Sequence, residues 1–199
     1  MSSPPRLLAF AGSLRQESFN KRLLRVLADA ARTSGAEVTL LELREHPLPI
    51  YDGDIEAKGM PDQVRRLQAL LADHDGLLIS CPEYNGGVPA LVKNTLDWIS
   101  RPLEDGSSGM GLYRGKVAGI CAASPGGLGG LRALIALRDL LAKLGLWVAP
   151  SQLAVASAND AFDSTGALAD ERQAKSIGRL ASEVVGAARV LRDLRHDNT

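Results

Sequence analysis

Four polar side chains, Ser13, Arg15, Ser18 and Asn20, follow the apolar run 7–11 at spacings that suit an anion. Hydroxyl, carboxamide and guanidinium groups all donate hydrogen bonds, and a bond that involves a charged group contributes roughly 1.5–3 kcal/mol. A helix that begins near Ser18 or Asn20 adds unpaired backbone N–H groups and the positive end of its dipole. The stretch is therefore a candidate phosphate site.

The number of glycines in this stretch indicates whether it suits a pyrophosphate or a phosphate monoester. The Walker pattern GxxxxGK[ST] is absent because Glu17 stands where its second glycine belongs, and the dinucleotide pattern GxGxxG is absent as well. With Gly12 as the one glycine, the backbone has no room for a pyrophosphate, so a terminal phosphate monoester fits better. The stretch alone leaves open a simpler alternative, in which Ser18 only caps a helix and Arg15 is solvated.

A second polar stretch, PEYNGGVPALVKNTLDWISR, spans residues 82–101. Pro82 ends the preceding strand and Gly86 with Gly87 lets the chain turn sharply. Tyr84 lies at the tip, in a chain with only two Trp, three Tyr and three Phe residues. An aromatic ring there favours stacking against a planar ligand such as a flavin, whose polar edge would meet the N–H groups of residues 84–87. The alternative is a tyrosine packed under its own loop.

A third stretch, ASPGGLGGLRAL at 123–134, has four glycines in five positions. Such a backbone can lie close against a ring or a ribose, and Ser124 can donate a hydrogen bond beside Gly126 and Gly127. The alternative is a loop that is merely flexible.

The elements that must position these loops alternate along the chain. Continuous apolar runs, typical of parallel strands buried on both faces, occur at 7–11, 76–81 and 117–123, with further strand candidates at 37–43 and within 146–155. Amphipathic helical patterns lie between and after them, at 20–34, 61–74, 89–100, 130–144 and 169–195. This βα alternation predicts an α/β fold: a doubly wound, five-stranded parallel sheet of flavodoxin-like order 2-1-3-4-5, with helices on both faces and a single domain over 1–199. The three polar loops then meet at the carboxyl ends of the strands, where such folds bind ligands.

Composition excludes several classes of protein. The 23 basic and 23 acidic residues among 199 cancel, so no overall field recruits nucleic acid or an anionic membrane. The apolar runs are too short to span a bilayer, and the first residues are too little apolar for a secretory signal. Two cysteines outside any CxxC pair and three scattered histidines predict neither a disulfide framework nor a metal site. We expect a cytoplasmic protein.

The stretches GSLRQESFNKRLL and PEYNGGVPALVKNTLDWISR together resemble the NADPH-dependent FMN reductase family, in particular its bacterial quinone and chromate reductase branch. The likeness covers nearly the whole chain. It implies non-covalent FMN, hydride transfer from NADPH or NADH to quinone-like acceptors, and a homodimer or homotetramer. It also implies that the flavin carries the chemistry, with no catalytic side chain, while Tyr84 and Asn85 position ring and substrate. The full predicted cofactor site is Gly12, Ser13, Leu14, Arg15, Ser18, Asn20, Pro82, Glu83, Tyr84, Asn85, Gly86, Ser124, Gly126 and Gly127.

Two other functions require features that the sequence lacks. A flavodoxin-type electron carrier docks its partners through a strongly acidic surface, which a net charge of zero does not provide. A receiver-like regulatory module needs an acidic cluster after the first strand, where Gly12 and Ser13 stand.

Four features outside the site carry smaller predictions. Cys81 is expected to be a buried small hydrophobe, and Lys93 with Asp97 an ion pair or a subunit contact. Trp98 is expected in the core or at a dimer interface. The segment 101–116, longer than the family resemblance implies, is expected to alter acceptor access or a subunit contact.

Overall fold

A parallel sheet forms the centre of the computed structural model, which describes residues 3–196. Its strands are β1 (Arg6–Ala11), β2 (Glu37–Leu41), β3 (Gly76–Ser80), β4 (Val117–Ala123), β5 (Trp147–Val148) and β6 (Leu153–Val155). They lie in the order β2-β1-β3-β4-β5, and β6 also pairs with β4. The predicted order is confirmed.

The predicted final strand is in fact two short ones. Trp147 and Val148 pair with the beginning of β4, whereas Leu153–Val155 pair with its last residues. Pro150 lies between the two pieces, and a proline has no N–H to donate to a ladder. The stretch 146–155 therefore contains the end of the sheet as predicted, but as two short strands where a single last strand was expected.

Within residues 3–196, six helices surround the sheet: α1 (Phe19–Thr33), α2 (Gly53–Lys58), α3 (Asp62–Ala72), α4 (Ala90–Ile99), α5 (Leu131–Leu144) and α6 (Glu171–His196). The bounds of the five predicted helices agree with the structure to within two residues. The short α2 was missed, as were single 3-10 turns at 43–45 and 109–112. All three are too short to show a helical hydrophobic period.

The sheet is covered on both faces, which explains why β3 and β4 are apolar without alternation. Helices α1 and α6 pack on one face, and α3, α4 and α5 on the other. Cys121 faces the first layer and Cys81 the second, and burial raises the pKa of each thiol to about 12. Cys81 is thus the buried small residue that was predicted.

The structure also shows where three further features of the sequence lie, namely Trp98, the Lys93–Asp97 pair and the segment 101–116. The Trp98 side chain is fully buried and its indole N–H donates to the Pro49 carbonyl at 2.8 Å, so it belongs to the core. Lys93 and Asp97 form the predicted ion pair at 2.6 Å. The segment 101–116 leads from the end of α4 to the beginning of β4, at the amino edge of the sheet. None of its residues lines the predicted site within this chain, and its expected part in acceptor access or in a subunit contact stays a prediction.

Candidate functional site

The loop after β1 presents a serine hydroxyl that has no partner among residues 3–196. Ser18 has the backbone angles of a helix N-cap, φ −87° and ψ 127°, but its side chain makes no cap hydrogen bond. No other partner for it lies within the described residues, although only 4% of the residue is exposed. A hydroxyl that is free at a helix N-terminus can donate to an anion, so the structure leaves Ser18 available to a ligand.

The neighbouring residues shape this phosphate loop. Ser13 is also buried, and its hydroxyl accepts the Arg15 N–H at 3.3 Å, which leaves its own proton available. Arg15 is exposed at the rim. The Leu14 carbonyl accepts a hydrogen bond from the guanidinium of Arg44, which fixes the loop from outside. Sequence reasoning missed Arg44, because nothing in its spacing connects it with a residue 30 positions earlier.

Asn20 lies deeper than the other predicted phosphate ligands. Its Nδ2 donates to the Ala123 carbonyl at 2.8 Å, and its Oδ1 accepts the Ala123 N–H and the Ser80 hydroxyl, each at 3.0 Å. One amide hydrogen remains for a ligand. The side chain thus connects the phosphate loop to the ends of β3 and β4.

The second loop closes on itself in a tight turn. The Tyr84 N–H donates to the Gly87 carbonyl and the Gly87 N–H donates to the Tyr84 carbonyl, both at 3.1 Å. Asn85 and Gly86 take left-handed conformations, with φ of 52° and 80°, as an Asn-Gly hairpin turn requires. Two of the four N–H groups predicted to meet a ring are therefore used within the turn, and that part of the prediction is wrong. The N–H groups of Asn85 and Gly86 have no partner within residues 3–196.

Tyr84 itself is not packed under its loop. Half of the residue, 51%, is exposed, and the ring lies beside the phosphate loop with Pro82 and Phe19. The exposed ring is available to a planar ligand, as the sequence predicts.

Glu83 has a partner that the sequence did not reveal. Its Oε1 accepts a 2.6 Å hydrogen bond from Arg132 Nε, and its Oε2 accepts the backbone N–H groups of Arg132 and Ala133 at 3.0 and 3.4 Å. The hydrogen bond from the Arg132 guanidinium lowers the pKa of Glu83. The carboxylate therefore ties the second loop to the beginning of α5 while still lining the site. No local spacing reports a pair 49 residues apart.

The glycines of the third loop have two different tasks. A Cβ on Gly129 would lie 2.7 Å from the Ala156 nitrogen, and one on Gly130 would lie 2.7 Å from the Ala122 Cβ. Both have positive φ, so these two glycines serve packing against the sheet. A Cβ on Gly127 would meet nothing within 4 Å, and one on Gly126 only the Ser124 hydroxyl at 3.6 Å. The open backbone is therefore at Gly126 and Gly127, as predicted.

Together the loops line one groove at the carboxyl edge of the sheet, which we call the carboxyl-edge groove. It consists of two adjoining depressions that share Glu83 and Ser124. One contains the phosphate loop and Tyr84, and the other contains the Asn85–Gly86 turn and the third loop. Every predicted site residue lines it except Gly12 and Leu14. Gly12 packs behind it, since its Cβ would lie 2.3 Å from Val92 Cγ2, and Leu14 acts through its carbonyl.

The sheet order is that of a flavodoxin-like protein, and this groove is its candidate mononucleotide site. The family model for NADPH-dependent FMN reductases matches residues 5–160, and the chain belongs to that family. An NAD(P)H-dependent FMN reductase of Pseudomonas aeruginosa is 34% identical over 173 residues, 86% of this chain and 89% of that protein. A 2-hydroxy-1,4-benzoquinone reductase of a Burkholderia species is 36% identical over 141 residues, 71% of this chain and 72% of that protein.

A solved structure agrees with these relatives. The flavoenzyme FerB of Paracoccus denitrificans, an NAD(P)H:acceptor oxidoreductase, superposes with a TM-score of 0.79 at 28% identity, over 93% of this chain and 97% of that one. The predicted family, fold, enzyme class and cofactors are confirmed: the chain is an FMN-dependent oxidoreductase that uses NAD(P)H.

The groove fits FMN on its own geometry. The free Ser18 hydroxyl and the α1 N-terminus suit a phosphate, and the unpaired N–H groups of Asn85 and Gly86 suit a polar ring edge. Gly126 and Gly127 leave room for a flat group. When bound, FMN supplies the redox chemistry, since it accepts a hydride from a reduced nicotinamide and gives up two electrons to an acceptor.

Proposed function

We propose that this enzyme transfers electrons from NADPH or NADH, through FMN in the carboxyl-edge groove, to small quinone-like acceptors. The 2-hydroxy-1,4-benzoquinone reductase and the quinone reductases among its relatives support this class of acceptor. The observation that carries the proposal is the unpaired Ser18 hydroxyl, which lines the same depression as the half-exposed Tyr84.

Each part of the groove has a separate task. Ser13, Arg15 and Ser18, with the α1 N-terminus, hold the phosphate of FMN through direct hydrogen bonds. The Asn85 and Gly86 N–H groups orient the polar edge of the ring, and Tyr84 covers part of it.

The groove is open toward solvent beside Gly127 and Leu128, because both residues are exposed. Nicotinamide and acceptor then use the same open side in turn, which predicts ping-pong kinetics. The side chains bind and orient, and we assign none of them an acid–base step.

The electron-carrier alternative is not favoured. The relatives named above are reductases with substrates of their own, and the chain has no net charge with which to steer a protein partner.

We further propose a homodimer or homotetramer that works in the cytoplasm. Leu131 and Ile135 are exposed by 38% and 61% and lie four residues apart on α5, which supports a contact between subunits there. Both cysteines are unpaired and buried, which suits a reducing compartment. Within residues 3–196, no helix has the length and apolar character needed to cross a bilayer.

The test is spectroscopic. The purified protein is loaded with FMN under anaerobic conditions, NADPH or NADH is added, and a benzoquinone follows. We expect the flavin absorption band to bleach with the nicotinamide and to return with the quinone. A protein that cannot be loaded with FMN contradicts the proposal, and a loaded protein that is reoxidised only by a protein partner favours the carrier.

A further inference from the structure

A cluster of buried polar atoms behind the carboxyl-edge groove joins all three of its loops. Asn20 lies in the first turn of α1, Ser80 is the last residue of β3 and Ala123 is the last residue of β4. The Asn20 carboxamide is bonded to all of these elements: to the Ser80 hydroxyl at 3.0 Å, to the Ala123 N–H at 3.0 Å and to the Ala123 carbonyl at 2.8 Å. We call this set the Asn20 bracket.

The bracket lies where the three loops begin or end. The phosphate loop ends at Ser18, two residues before Asn20. The second loop starts directly after Ser80, and the third directly after Ala123. Ser80 is fully buried, and Asn20 is 4% exposed. Hydrogen bonds in such a setting are strong and directional, because no water competes for them.

A mononucleotide must reach from the phosphate loop to the ring-binding loops. The distance between the two ends of the site is therefore set by whatever connects α1 to the ends of β3 and β4. Among the described side chains, the Asn20 carboxamide is the one that hydrogen-bonds to both of those strand ends.

We propose that the Asn20 bracket sets the spacing between the phosphate half and the ring half of the site, and that Ser80, which does not line the groove, is a positioning residue for the cofactor. This inference rests on the proposed FMN-dependent function. It gives Asn20 a task besides that of a phosphate ligand, because its contacts hold the loops that bind the ring as well.

Riboflavin separates the two tasks, since it has the ring of FMN without the phosphate. A residue that only binds the phosphate changes the affinity for FMN and leaves that for riboflavin unchanged. A residue that holds the loops in register changes both affinities by similar factors.

The experiment titrates the apoprotein with FMN and with riboflavin and follows the quenching of flavin fluorescence. The variants are Ser18→Ala, Ser80→Ala, Asn20→Ala and Thr95→Val. Thr95 is a matched control, because it is buried in α4 and its hydroxyl donates to the Leu91 carbonyl at 2.8 Å, away from the bracket. Thermal unfolding of each apoprotein shows that it is folded.

We expect Ser80→Ala to raise the Kd of both flavins by a similar factor, about three- to tenfold, as the loss of one buried hydrogen bond predicts. Asn20→Ala should raise both by more than this. Ser18→Ala should raise the Kd of FMN alone, and Thr95→Val should lower the melting temperature without changing either Kd. Ser80→Ala leaves Asn20 bonded to Ala123, so it tests the inference even if Asn20→Ala does not fold.

Three results would overturn the inference while leaving the proposed function intact: unchanged affinities in Ser80→Ala, a loss restricted to FMN in Ser80→Ala or Asn20→Ala, or an equal loss in Thr95→Val. Failure of the wild-type protein to bind FMN would instead overturn the proposed function.

Discussion

The polar groups at the two edges of the sheet differ in whether they have hydrogen-bond or ionic partners within the protein. At the carboxyl edge, the Ser18 hydroxyl and the N–H groups of Asn85 and Gly86 are left without protein partners, as far as residues 3–196 are concerned. At the amino edge, charged groups are gathered more densely, but they satisfy one another. Polar groups that have been left free, rather than charge density, mark the proposed binding site.

Asp75 is the centre of the amino edge. It accepts the Arg6 N–H at 2.9 Å and a hydrogen bond from Arg195 at 2.9 Å, and Arg192 approaches to 3.7 Å. Nearby, the buried Lys116 ammonium donates to the carbonyls of Leu71 and Ala72 at the end of α3. These contacts fasten α6 and α3 to the beginnings of the strands, which is a structural task.

The largest effect is expected on stability, when the central carboxylate of the amino edge is removed. Asp75→Ala removes the carboxylate that accepts the Arg6 N–H and the hydrogen bond from Arg195, and we expect it to lower the free energy of unfolding by about 2–3 kcal/mol. Urea denaturation of the apoprotein measures this. The Kd for FMN should stay within twofold of the wild type, and a much larger loss of FMN affinity would mean that the two edges are not independent.

The next prediction concerns FMN affinity, when a charged side chain of the carboxyl edge is removed. Arg15→Ala should weaken FMN binding roughly 10- to 100-fold, because a charge-assisted hydrogen bond is lost, while turnover at saturating FMN falls less. The unfolding free energy of the apoprotein should hardly change, since Arg15 is exposed. Arg25→Ala, an exposed arginine of α1 outside the groove, removes the same charge and should leave the Kd unchanged. Equal losses in both variants would reduce Arg15 to a general electrostatic role.

A third prediction concerns the pH dependence of stability at the amino edge. Burial lowers the pKa of Lys116 from its usual 10.5 to about 8. Between these values the unfolded chain holds a proton that the folded protein has released, so stability gains from rising pH there. Relative to Lys116→Met, the wild-type unfolding free energy should rise by up to about 1.4 kcal/mol per pH unit between pH 8 and 10. Parallel pH profiles of the two proteins would show that Lys116 keeps its proton when folded.

The fold was predictable because the hydrophobic patterns of its strands and helices are regular. Unbroken apolar strands and amphipathic helices alternate along the chain, and the carboxyl edge then follows from parallel topology. The broken fifth strand was not predictable in detail, since two and three paired residues carry too little pattern. That 1–199 forms a single domain stays a prediction.

The site was predictable at positions where the type of side chain alone indicates what it can bind. Ser18, Arg15 and Tyr84 are of this kind, although their contacts with a cofactor also stay predictions. Arg132 and the Ser80 link to Asn20 depend on pairs far apart in sequence, which no local spacing reveals. Likewise, only packing separates the two tasks of the third-loop glycines.

One measurement tests the central claim, that the carboxyl edge alone binds the cofactor, most directly. The ¹⁵N-labelled apoprotein is titrated with FMN while its amide signals are followed by NMR. We expect saturable shifts at residues 12–20, 84–87 and 124–130 and none at 72–75 or 114–117. Shifts centred on the amino edge, or no saturable shift in the three loops, would contradict the account.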